Sequence, residues 1–280
     1  MITVIEQGAY LTQINKTGAG KFTAKSAFLG TRFECDAVLF ADACTMTIDR
    51  AAYCIHRTPG NQNLTEEEIP ELSGAPCTFD GSRFIRSLPD YDGNGFIREL
   101  LTENLRSINQ AEMYMLEEIG ISDPMSYEEY WRDQKENYCR PYTGRMPDIY
   151  DWPMHSDYLK YYRNRNLYNK YKQYTIIGNG SDEAVITGTY QDSFHEMCAQ
   201  ISYSMNSGKI TDFDMTLRRW PFAACFEMDH MWSGLFVGRQ IDELTKKETG
   251  KLIGGSGGCF HLTDIVADMA KAARDLRKSR

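Results

Sequence analysis

The residues most able to do chemistry lie near the C-terminus, in the run Gly254-Gly255-Ser256-Gly257-Gly258-Cys259-Phe260-His261-Leu262-Thr263-Asp264. A glycine-rich loop there enters a helix-period apolar pattern: Leu262, Ile265, Val266, Met269, Ala272, Ala273 and Leu276. Free N–H groups at a helix start attract anions. A thiol held among them has its pKa lowered and becomes a nucleophile or a metal ligand. Cys259 is therefore the first candidate catalytic residue. His261 is a candidate acid or base near neutral pH. Residues two apart on a helix diverge, so the pair converges only if Gly257-Gly258 keeps the chain extended there. The plain alternative is a buried cysteine packed as a small hydrophobe.

Cys225 is the second candidate thiol. It closes Arg218-Arg219-Trp220-Pro221-Phe222-Ala223-Ala224-Cys225, where a strand ends at Pro221 and a helix begins. Cys225, Cys259 and His261 would supply three soft metal ligands, and zinc would need a fourth ligand or a water. Cys198 and His230 are eligible fourth ligands, but no close paired spacing selects them. His195 reads as a strand residue, a cleft or core histidine with a substrate-binding alternative. Arg219 reads as a bidentate carboxylate clamp or as the partner of a structural acid such as Asp214.

These groups need elements to hold them. Residues 22–59 alternate with period two and read as strands, with Phe33, Cys35, Ala37, Leu39, Met46 and Ile48 inward. A short helix is expected near Thr65–Leu72 and a longer one over Phe96–Ile119, stopped by Gly120. Thr187–Tyr203 reads as one strand with His195, Met197, Ala199, Ile201 and Tyr203 on one face. Lys209–Trp220 reads as its returning partner, followed by helices near Ala224–Val237, Ile241–Thr249 and Cys259–Arg277.

An offset of 162 lays the first strand pair on the second without a gap. Glu34 falls on Glu196, Ala37 on Ala199, Ile48 on Ile210, Arg57 on Arg219 and Pro59 on Pro221. The expected class is α+β, with internally duplicated units of an antiparallel β-hairpin plus helices forming a pseudo-twofold pair. The division is 1–119 as the N-terminal repeat, 120–173 as a Tyr/Arg-rich helical insert, and 174–280 as the C-terminal repeat. Within the insert, Ser156–Tyr174 reads as a polar helix, with tyrosines interleaved among Lys160, Arg163, Arg165, Lys170 and Lys172. It is a strap with a solvated basic face or, alternatively, a platform for an anionic or aromatic ligand. The first repeat has Gly93-Asn94-Gly95-Phe96 where the second has its Gly-Cys-Phe-His run, so the Cys/His set belongs to the C-terminal half alone.

Other motifs fall short. Asp90-Tyr91-Asp92-Gly93-Asn94-Gly95-Phe96-Ile97 opens like a calcium loop, but Leu101 stands where the bidentate acid belongs. Thr17-Gly18-Ala19-Gly20-Lys21-Phe22 lacks the hydroxyl residue and glycine spacing of a phosphate loop. His195-Glu196 is no zinc-protease signature.

Composition narrows the classes. Of 280 residues, 42% are hydrophobic, enough for a sizeable core, and the net charge is -8. An acidic chain repels phosphate backbones, so nucleic acid is not an expected partner. The N-terminal residues do not read as a signal peptide, and no apolar run reaches the roughly 18 residues of a membrane span. Eight widely spaced cysteines without a CxxC pair point to a reducing cytoplasm rather than a disulfide framework.

Several of these residues together resemble a known family. Tyr190-Gln191-Asp192, Ile210-Thr211-Asp212, Arg219-x-Pro221-x-x-x-Cys225, Leu235-x-Val237-Gly238 and Gly258-Cys259-x-His261-Leu262-Thr263-Asp264 resemble the DUF2889 family, of unknown function. The resemblance covers about 187–280 and the first half more faintly. It implies a cytoplasmic bacterial protein whose matching positions include Asp192, Arg219, Cys225, Cys259 and His261, with no reaction attached. The Tyr-rich insert departs from the family pattern and leaves its partner open.

The reading favours an enzyme acting on a small anionic substrate, aromatic or acyl. Its catalytic residues are Cys259, His261 and Cys225, and its substrate-binding residues are Arg219, His195 and Asp192. The alternatives are a zinc- or ligand-binding protein using Cys225, Cys259 and His261 without turnover, or a structural subunit of an assembly. The expected partners are a small molecule and no nucleic acid or membrane; a homo-oligomer is allowed.

Overall fold

Alternation governs the chain from its start, as seen in a computed structural model that describes residues 3–59, 66–121, 126, 136–143, 163, 165–226 and 232–279. In β1 (Thr3–Gly18), Tyr10, Thr12 and Ile14 turn inward while Gln7, Leu11 and Gln13 stay exposed. β2 (Lys21–Gly30) buries Phe22, Ala24, Ser26 and Phe28 in the same rhythm. β3 (Glu34–Asp42) buries Cys35, Ala37, Leu39 and Ala41. Side chains two apart share a sheet face, so one face of each strand is apolar. β4 (Thr47–Arg57) and the short β5 (Glu66–Glu68) complete the hairpins. The sequence pattern began at residue 22, and β1 is an addition to it.

The chain divides into two compact, discontinuous units. The first, N-terminal unit comprises Ala9–Glu128 and His155–Tyr171, with strands in the order β5-β4-β3-β2-β1-β6. α2 (Phe96–Ala111) covers β2 and β3 of its sheet, and α1 (Ser82–Ser87) packs against α2. Ile97, Leu100, Leu101, Leu105 and Ile108 of α2 are all at most 1% exposed. Burying each contributes about 1.5–3 kcal/mol. Ser26 Oγ donates to Asn104 Oδ1 at 2.7 Å and Asn104 Nδ2 to the Ala37 carbonyl at 3.1 Å, pinning α2 to β2 and β3. At the head of α2, Asp92 accepts from the N–H groups of Asn94, Phe96 and Ile97, and Asp90 from that of Gly95. The carboxylates of the calcium-like loop are thus turned onto backbone donors as a helix cap.

β6 (Asn166–Gly178) corrects the polar-helix expectation over its residues. Tyr168, Lys170, Lys172, Tyr174 and Ile176 all point inward with period two. Two lysines on the buried face disguised a strand as a solvated helix. Lys170 donates to Glu103 Oε2 at 2.5 Å, which offsets the cost of burying its charge. Residues 156–162 and 164 of the expected helix lie outside the described residues.

The second, C-terminal unit comprises Met1–Gly8, Glu129–Met154 and Lys172–Arg280, with strands in the order β1-β6-β7-β8-β9. β7 (Glu183–Asp192), β8 (Glu196–Ser204) and β9 (Ile210–Arg219) form an antiparallel meander. The single strand expected over Thr187–Tyr203 is broken at Ser193–His195. Asp192 Oδ1 accepts from the N–H groups of Phe194 at 2.7 Å and His195 at 2.6 Å. Such a side-chain turn takes the backbone out of the ladder, so His195 sits in a connection and not on a strand face. Single helical turns follow at Ala223–Phe226 and Ser233–Phe236; residues 227–231, including His230, lie outside the described residues. α3 (Lys246–Ile253) and α4 (Phe260–Lys278) close the unit, α4 packing on β7, β8 and α3. A Cβ on Gly188 would lie 2.4 Å from Met269 Sδ, so the absence of a side chain lets α4 approach the sheet.

The two meanders share their registers. Glu34 pairs with Arg57 and Glu196 with Arg219, at the 162 offset. Bulges fall between Glu34 and Cys35 and between Phe40 and Ala41. In the second unit they fall between Glu196 and Met197 and between Ser202 and Tyr203, the same offset again. Among the described residues no helix is long and apolar enough to cross a membrane.

Candidate functional site

The turn made by Asp192 organises the site. Its Oδ1 and Oδ2 lie 3.1 and 3.2 Å from His195 Nδ1, and Tyr190 Oη donates to Oδ2 at 3.0 Å. The carboxylate therefore meets two backbone N–H groups, a phenol and an imidazole. Burial by itself raises its pKa. The charges of His195 and His261 and the bonds from His195 and the Phe194 N–H outweigh that and hold it well below the usual carboxylate range. An ionised Asp192 takes the Nδ1 proton of His195 as a hydrogen bond, which leaves Nε2 as the basic nitrogen. Among the described residues no hydrogen bond reaches that Nε2.

His261 stands over His195, with ring centroids 3.9 Å apart and planes tilted by 37°, and 5.0 Å from the Tyr190 ring. It belongs to the first turn of α4. Lys172, fully buried on β6, fixes that helix by donating to Asp264 at 2.8 Å and Asp268 at 2.6 Å. Lys246 adds an ion pair to the other oxygen of Asp264. His261, Asp264 and Asp268 recur at helical spacing on one face, so the ion pairs set the rotation that presents the imidazole.

Arg219 is engaged by the backbone of this turn. Its guanidinium donates to the carbonyls of Asp192 at 2.7 Å and of Ser193 and His195 at 3.2 Å each. It clamps the turn that holds His195. Arg57 makes the corresponding bonds to Gly30 at 2.7 Å and Thr31 at 2.9 Å.

The thiols lie nearby in the same unit. Cys259 is the cap of α4: its sulfur accepts from the Leu262 N–H at 3.4 Å, as a helix-start thiol should. Burial nonetheless wins. It pushes the thiol up, joined by the charge of Asp192, against the lowering effect of the Leu262 and His261 N–H groups. The expected thiolate is thus a protonated thiol, because desolvation exceeds what the helix terminus returns. Cys225 is buried and pushed up to about 12 by desolvation and by Cys259. Cys139 joins them; burial raises its thiol first, then Cys259 and Cys225. Its segment is tied to the glycine loop by Arg140 N–H donating to the Gly258 carbonyl at 2.9 Å and Thr143 Oγ1 to that of Ser256 at 2.6 Å.

Of the sequence candidates, the structure gathers Asp192, His195 and His261 into one cluster, with Cys259 beside it and Cys225 beyond. One ligand atom from each of Asp192, His195 and His261 lies within 4.8 Å of the others, a donor set that suits a divalent transition metal. The expected set of Cys225, Cys259 and His261 does not close in this way among the described residues. Cys198 stands apart on β8, half-buried. Sequence reasoning missed Tyr190 and Cys139 as site members. Tyr190 had a signal, two residues before Asp192 on the same strand face. Cys139 had none, since only the tertiary fold carries it to Gly258.

No curated protein and no solved structure matches this chain. One family does: residues 178–275, the stretch carrying Asp192, His195, Arg219, Cys225, Cys259 and His261, match DUF2889, described as a protein of unknown function.

Proposed function

We propose that the C-terminal unit is the active unit of an enzyme that transfers a proton to or from a small anionic substrate. His195 is the base, Asp192 its positioning residue and His261 the second proton-accepting group. The observation that carries this reading is the Asp192–His195 pair, which leaves His195 Nε2 basic and next to a second imidazole. A fixed carboxylate behind a histidine sets both tautomer and aim, which general acid–base catalysis needs. Two imidazoles with centroids 3.9 Å apart offer ring N–H donors to one small ligand, and an anion is the acceptor that suits them. Cys259 serves as a neutral wall of the site rather than as a resting thiolate. The shared registers, shared bulges and shared arginine clamps support descent of the two units from one duplicated ancestor. Eight cysteines outside disulfide bonds suit a reducing compartment such as the cytoplasm.

The second reading is a metal centre on Asp192, His195 and His261, favoured by the 4.8 Å grouping of their ligand atoms. Two features weigh against it. Asp192 already meets four donors, and two imidazoles sharing a tetrahedral metal hold their centroids roughly 5 Å apart, against 3.9 Å for this pair.

Nitrogen NMR of the histidine rings in the full chain, alongside elemental analysis, tests both. The expected result is a His195 ring protonated at Nδ1, a change of tautomer in Asp192→Asn, and movement of both histidine signals on adding benzoate. A His195 tautomer indifferent to Asp192→Asn would sink the base assignment. Near-stoichiometric metal lost in His261→Ala would install the second reading.

A further inference from the structure

The N-terminal unit holds a different constellation, on the sheet face turned away from α2. Cys35, Ala37 and Leu39 of β3 are fully buried, so Asp36 between them points to the opposite face. Asp36 lies directly across from Cys54 of β4. Two residues on, on the same face, is His56. Cys54 Sγ is 3.6 Å from His56 Nδ1, and His56 Nε2 is 2.9 Å from Asp36 Oδ2. A thiol, an imidazole and a carboxylate thus stand in a relay, each within hydrogen-bond reach of the next. This is the order in which a nucleophile, its base and the base's positioning group are arranged. Asp36 also receives Lys25 Nζ at 2.9 Å. The His56 side chain is 32% exposed, so the relay opens to solvent through its imidazole.

We propose that Cys54 is a His56-activated nucleophile, with Asp36 positioning the imidazole, and that it accepts the acyl group of an uncharged, activated ester or thioester.

The charges around the thiol select that class. Desolvation raises its pKa, followed by the charges of Asp36 and Glu66; Lys25 lowers it and Glu67 raises it. Three carboxylates against one ammonium repel an anionic donor and keep the resting sulfur protonated. Activation then comes at the moment of attack. The Sγ proton passes to His56 Nδ1 as the sulfur adds to the carbonyl carbon. The tetrahedral adduct collapses, the carbon–oxygen or carbon–sulfur bond to the leaving group breaks, and that group takes the electron pair and the proton from His56. The products are an acyl thioester on Cys54 and a free alcohol or thiol. Asp36 accepts from His56 Nε2–H throughout and stabilises the transient imidazolium. None of the three residues has a counterpart in the other unit, where the 162 offset gives Cys198, Thr216 and Arg218 for Asp36, Cys54 and His56. The proposal does not rest on the reading of the Asp192 site.

p-Nitrophenyl acetate, added to the full chain, tests it. The expected result is a burst of p-nitrophenolate with the acetyl group mapped to Cys54 by peptide mass. Cys54→Ala abolishes the burst and Cys44→Ser, which removes an exposed thiol, leaves it. His56→Asn slows acylation of Cys54 at least about 10-fold and changes its pH profile, as loss of a general base should. Acetyl on Cys44 instead of Cys54, or Cys54 acylated equally fast in His56→Asn, overturns the proposal.

Discussion

The turn after β2 and the turn after β7 use the same backbone for different ends. In the N-terminal unit an arginine at the end of β4 binds the carbonyls of Gly30 and Thr31; in the C-terminal unit Arg219 at the end of β9 binds those of Asp192 and Ser193. What stands inside differs. Phe96, from the first turn of α2, stacks on Phe28 at 4.4 Å and on Phe33 at 4.9 Å. His261, from the first turn of α4, sits over His195 and beside Tyr190. At the 162 offset Phe28 corresponds to Tyr190, Gly30 to Asp192 and Phe33 to His195. A cluster built on Phe28, Phe33 and Phe96 stabilises by burial and ring contact. Exchange of a few positions turns it into a carboxylate–imidazole site, while the arginine clamp keeps the turn in place. Scaffold and chemistry are therefore separable here: the clamp and the bulged strands carry the first, four side chains the second.

The largest effect should come from the charged helix anchor. Lys172→Met leaves buried Asp264 and Asp268 without its ammonium and should cost about 3–5 kcal/mol in urea unfolding. Ser26→Ala breaks the neutral anchor of α2 and should cost only about 1–2 kcal/mol. Equal costs would mean that the two helices are held by packing and that the ion pairs add nothing.

A smaller effect concerns acid. Asp192 is held below its ordinary value of 3.8. Its contribution is thus complete above that pH and is lost as the pH falls toward the lower, folded value. Asp192→Asn should cost about 1–3 kcal/mol at neutral pH through unmade hydrogen bonds, and should flatten the acid limb of the unfolding curve. An acid limb unchanged in the variant would move the sensitivity to other carboxylates.

The smallest effect sharpens the comparison most. Arg57→Ala and Arg219→Ala should each lose about 1–2 kcal/mol by thermal or urea unfolding, since each frees at least one buried or half-buried carbonyl, that of Gly30 or of Asp192. Only Arg219→Ala should also shift the ring nitrogen signals of His195. Unequal losses, or a silent His195, would break the equivalence of the two clamps.

Much of the scaffold was legible in the chain. Period-two alternation identified the strands between residues 22 and 59, because one face of each is apolar and the other wet. Helical periodicity identified α2 and α4 for the same reason. β6 was not legible, because Lys170 and Lys172 look like solvent-facing residues until Glu103, Asp264 and Asp268 are brought to them. The break at Ser193–His195 was hidden too: a short side-chain turn leaves the alternation on either side intact.

The site divides along the same line. The sequence by itself singled out Cys259, His261, Cys225, Arg219, His195 and Asp192, and placed a helix start after the glycine loop. Which of them act together was decided by tertiary structure. Folding spent Arg219 on three carbonyls, set His261 over His195, and buried Cys259 deeply enough that desolvation outweighs the helix terminus. Composition fixes which groups a chain owns and period fixes which face they take. Distance and burial, which set charge state and partner, come only from contacts between residues far apart in the chain.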